Sequence, residues 1–100
     1  MIFRRGRFGE LVRRQLDIFA EDEAGLLRAA ETAEDVYDRA ERDEAEEAYG
    51  DYQLVLEAIA ERLEELRDTY AAALEEDEAA EYVVAFDRAA SKRHPQVRLS

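Results

Sequence analysis

Between Ala45 and Ala73, apolar side chains recur at Ala45, Tyr49, Tyr52, Leu56, Ile59, Leu63, Leu66, Tyr70 and Ala73. The steps alternate between four and three residues without a break, which places all nine on one stripe of a long helix. A stripe of that length must be buried against other helices, so the rest of the chain reads as its cover. Ala, Leu, Glu and Arg dominate while β-branched residues are sparse, and summed propensity favours helix over almost any interior window. With 100 residues and 47% apolar content the chain is one domain with a modest core. The expected fold is all-α, an antiparallel bundle of three helices, two long and one short, over residues 1–100.

Taken in order, Met1 to Arg7 carries three Arg where a helix N-terminus prefers acids, and reads as an extended basic lead-in over 1–7. A helical pattern then runs from Phe8 to about Ala40 over a wide apolar face that includes Leu11, Val12, Leu16, Ile18, Phe19, Leu26, Ala33, Val36 and Tyr37. Gly25 lies inside it, and a kink near Asp22–Gly25 is expected. Asp43-Glu44-Ala45-Glu46 resembles a capping box, so the first reversal is placed near Glu41–Asp43, with Gly50 as the second choice. Beyond Leu74 the stripe would need apolar residues where Asp77 and Asp87 stand, while Ala79, Val83, Phe86 and Ala90 take up a new phase. A second reversal with Asp77 as N-cap, a short third helix ending near Lys92–His94 before Pro95, and a tail over 95–100 follow.

Two helices of about thirty residues span about 45 Å, and the third only about half of that. The uncovered part is the end near the first reversal, and Val36, Tyr37, Tyr49 and Tyr52 are expected there as an interface. A second copy related by a two-fold axis is the simplest cover, so the chain is expected to be a homodimer joined through the hairpin of its long helices. Antiparallel pairing around that reversal brings Asp22 near Arg62 and Gln15 near Thr69 or Tyr70. Asp22 and Arg62 are read as a polar pair at the core edge, with a ligand anchor at Asp22 as the alternative.

The charge is uneven. Residues 1–14 hold five Arg and one Glu, and residues 88–100 hold Arg88, Lys92, Arg93 and Arg98 with no acid, so each end is +4. Since the total is −12, the body between them is −20. Such a body repels nucleic acid and anionic membrane and suits a basic protein partner. The basic ends are read as neutralised internally by the Glu75–Glu78 turn, in preference to a nucleic-acid-binding role. The absence of Cys, of a signal-like apolar run and of a membrane-length stretch fits a cytoplasmic protein. Arg outnumbers Lys thirteen to one and Asn is missing, which reads as the coding bias of a GC-rich bacterial genome.

Chemistry has few footholds. The lone His94 cannot build the Glu-x-x-His pairs of a di-iron bundle, and there is no Gly-rich phosphate loop. Glu31-x-x-Glu34, a spacer, and Glu47 with Asp51 form the remaining candidate metal set, suited to Mg²⁺ if the four face one another. This pattern is similar to the Glu-x-x-Glu, spacer, Glu-x-x-Asp of the all-α nucleotide pyrophosphohydrolases, although here three residues separate Glu47 from Asp51 where that pattern has two. The resemblance implies Mg²⁺-dependent nucleotide hydrolysis as the alternative to a non-enzymatic interaction or structural module. The second of these is favoured, with no catalytic residue and no cofactor assigned.

Overall fold

The computed structural model describes residues 6–100, which form four helices and no strand. They are α1 (Gly9–Asp22), α2 (Ala24–Arg39), α3 (Ala45–Ala71) and α4 (Glu76–Arg93). The all-α class stands, but the three-helix count is corrected to four, because the first long helix breaks at Glu23. There the backbone leaves the helical region (φ −110°, ψ 29°), while Glu23 N–H still reaches the Phe19 carbonyl (2.8 Å) and Leu27 N–H the Glu23 carbonyl (2.9 Å). The break is thus a bend in a nearly continuous ladder, and Gly25, two residues on, lowers the helical propensity that would resist it. The lead-in over 1–7 falls on the described residues only at Gly6 and Arg7; the rest lies outside them. Gly6 takes φ +94°, a left-handed turn that costs glycine little, and its carbonyl receives the Gly9 N–H as α1 begins.

The first reversal occupies the few residues between α2 and α3, and Gly50 lies inside α3. Asp43 does not cap α3. Glu44 occupies that place and turns its carboxylate back onto the Glu41 N–H (3.3 Å). The second reversal starts α4 two residues earlier than Asp77 as N-cap would dictate, with Glu75 at the N-cap position and Glu76, Asp77 and Glu78 all in the first turn. Three carboxylates at the positive end of the helix dipole, and Lys92 and Arg93 at the negative end, complement it from both sides.

Packing divides the molecule, which measures 56 × 27 × 22 Å. α4 lies against both α1 and α3, and at their junction Val12, Leu16, Ile59, Leu63, Tyr82 and Phe86 are almost fully removed from water. α2 packs on α3 and holds no fully buried residue. The stripe of α3 also turns along its length. The buried residues of the helix are Ala48, Tyr52, Leu56, Ile59, Ala60, Leu63 and Arg67, while of the stripe Tyr49 is exposed and Leu66 and Tyr70 are half-buried. A straight helix advances 3.6 residues per turn, so a row spaced at 3.5 drifts around the axis, and each end of α3 presents a neighbour of the expected residue. The 95–100 segment folds back along α3, with Val97 buried in the core and Ser100 N–H on the Glu64 carboxylate (2.8 Å).

Candidate functional site

Two surfaces carry exposed apolar groups between helices. The first is the free end of the α2–α3 hairpin. Val36, Tyr37 and Tyr49 are 54%, 37% and 47% exposed, and the Tyr37 and Tyr49 rings meet at 5.3 Å. Tyr52, expected to join them at an interface, is instead only 8% exposed and stacks beneath Tyr37 at 6.4 Å, because its position on α3 faces α2 and the folded-back tail. Burial, with Glu34 and Asp38 nearby, raises its phenol above the ordinary value. From residue 31 to 51 the hairpin carries ten acids and two arginines, a net of −8.

The candidate metal set is not assembled. Glu31 and Glu34 line a groove of about 300 Å³ that is closed by His94, Pro95 and Val97, whereas Glu47 and Asp51 line another of about 510 Å³ with Val36 and Arg39. Among the described residues no three carboxylate, His or Cys side chains gather closely enough to hold an ion. The placement of the four acids therefore does not reproduce the paired-helix carboxylate cluster that the sequence resemblance implies.

The second surface is a cleft of about 630 Å³ between α1 and α3, on the side away from α4. Ile18, Phe19, Leu66, Tyr70 and Ala73 supply its apolar lining, and Gln15, Asp22, Glu23, Arg62, Glu65 and Thr69 its polar one. The expected Asp22–Arg62 pair is corrected by one residue. Arg62 Nη1 donates to Glu23 Oε2 at 2.7 Å, since the bend turns Glu23 toward α3 and leaves Asp22 exposed at the rim. Gln15 does not bond Thr69 or Tyr70; its amide oxygen accepts from the buried Tyr82 hydroxyl at 2.8 Å. Burial outweighs that hydrogen bond and pushes the Tyr82 phenol up to about 12.

The described basic residues near the ends are partly engaged within the fold. Arg7 bridges Glu78 (3.9 Å) and Glu81 (3.0 Å) on α4 and lies over the Phe8 ring, while Arg93 reaches Asp17 at 2.6 Å. Arg4 and Arg5 lie outside the described residues.

The burial of two polar residues, Arg67 and His94, is not foreseen by the sequence pattern. Arg67 is 7% exposed, and its guanidinium is held between Asp68 (2.8 Å) and Asp87 (2.9 Å), which keep it charged. The signal was Asp87, standing where the stripe wanted an apolar group. His94 packs edge-on to Phe19 with its Nε2 buried and unpartnered, and desolvation lowers its affinity for a proton, with Arg93 adding to the effect.

No protein-family model, no curated protein and no solved structure matches this chain. No helix among the described residues is long and apolar enough to cross a membrane.

Proposed function

We propose that the protein is a non-enzymatic, cytoplasmic protein–protein interaction module that acts as a homodimer through the free end of the α2–α3 hairpin. The observation that carries this reading is the grouping of Val36, Tyr37 and Tyr49, all exposed, on a helix pair in which α2 buries no residue fully. Helices covered on one side only gain most from a second pair, and a two-fold arrangement of two hairpins gives a four-helix contact. The net charge of −8 on each hairpin sets the condition for that contact. Repulsion between the two copies is screened by salt, so association strengthens as salt is added.

Sedimentation equilibrium tests this directly. The expected particle at moderate salt has twice the 11.5 kDa chain mass and weakens at low salt, and Tyr49→Glu or Val36→Glu returns it to a single chain. A single-chain mass at every salt concentration contradicts the dimer.

A further inference from the structure

We propose that the cleft between α1 and α3 is a docking site for one cationic amphipathic helix of a partner protein. α4 bridges α1 and α3 on one side only, so the opposite side is the vacant fourth position of a four-helix arrangement. Along α3 the lining runs from Arg62 to Tyr70, about 12 Å at 1.5 Å per residue, and Ala73 continues it just past the helix end, which accommodates two to three turns of an incoming helix. Ile18 is 51% exposed, and with Leu66 and Tyr70 it offers the apolar contact that an i, i+3, i+4, i+7 face would fill.

Charge decides which helix fits. At one end of the cleft Arg62 is taken up by Glu23, while Asp22 and Glu65 stand exposed on the same rim. The rim is therefore net negative, on a chain that is itself −12, and it repels an acidic segment while attracting Lys and Arg. A second copy of this body is disfavoured there for the same reason, although it remains a possible outcome of the test.

The inference rests on reading the chain as an interaction module but not on its two-fold pairing. The probe is a synthetic fourteen-residue helix with Leu at i, i+3, i+4 and i+7 and Lys elsewhere, titrated into the full chain and followed by amide chemical shifts and by anisotropy. Scrambled Leu/Lys and Leu/Glu peptides are the controls. Expected shifts cluster on residues 15–23 and 62–73, with at least tenfold weaker binding for the scrambled peptide, the Leu/Glu peptide, the double variant Asp22→Lys/Glu65→Lys and the single variant Ile18→Asp. The surface variant Glu46→Lys/Glu47→Lys retains affinity within twofold.

Equal binding of the scrambled peptide overturns the proposal, as do shifts confined to the more acidic hairpin or protection of the cleft by a second copy. Loss of peptide binding in a chain that still dimerises removes the docking site alone. Peptide binding in a monomer removes the dimer alone.

Discussion

The middle of α3 and its N-terminal end live in different surroundings. Around Ile59 and Leu63 the helix is enclosed by α1, α2 and α4, and the deepest side chains of the protein meet there. Toward Ala45 it has α2 alone, with Tyr37 and Tyr49 in water to a large extent. The helical pattern is equally regular in both places, so periodicity does not distinguish them. What differs is the number of neighbours, and hence the apolar area each turn removes from water. Helices gain most of their stability from such packing and little from propensity. The enclosed middle is self-sufficient, and the hairpin end is the less covered of the two.

The largest test of this contrast is a pair of identical truncations. Leu63→Ala in the enclosed region is expected to cost about 2–5 kcal/mol, because no neighbour can collapse into the vacated space. Leu26→Ala, on half-buried α2, is expected to cost only about 1 kcal/mol, in keeping with its partial loss of apolar contact. Equal losses in urea unfolding would erase the distinction between the two regions.

Next come the glycines. A Cβ at Gly25 or Gly50 meets nothing within 4 Å, and neither residue has a positive φ. Gly25→Ala and Gly50→Ala are therefore each expected to stabilise the monomer by about 0.5–1 kcal/mol, measured by thermal unfolding. A loss at Gly25 would mean that the bend at Glu23 depends on that residue for more than low propensity.

The smallest effect is one of pH. His94 joins the tail to the enclosed core, and its proton affinity in the fold lies below the ordinary 6.5. Its contribution to stability is complete above pH 6.5 and declines as pH falls from there toward the depressed native value, since only the unfolded chain takes up the proton. Replacing it by His94→Phe should remove that part of the pH dependence, read as the difference between the two proteins' unfolding curves. Parallel curves would show that the imidazole is not desolvated.

Much of the architecture was legible because it depends on period and on strong breakers. The stripe of α3, the reversal before Ala45 and the stop at Pro95 follow from the sequence with errors of a residue or two. The bend at Glu23 was legible only as a kink, since its hydrogen-bond ladder is nearly intact and no proline marks it. Which faces are covered was less legible. Tyr52 and Tyr49 are three residues apart on the same stripe, yet drift along a straight helix buries the first and exposes the second. Arg67 bears a charge that by itself marks a surface position, although Asp87 supplies the partner that lets a guanidinium go inside. The shift from Asp22 to Glu23 as the partner of Arg62 follows from the bend, and periodicity alone carries no record of it.

In the proposed dimer the hairpin end, incomplete in a single chain, is completed by a second. The decisive measurement is hydrogen exchange of the α2 amides (Ala24–Arg39) over a range of protein concentrations. In dilute solution these amides are expected to exchange far faster than those of α3 between Leu56 and Arg67, and to slow as concentration rises. Exchange in α2 as slow as in α4 at the lowest concentration, and indifferent to dilution, would contradict that dimer.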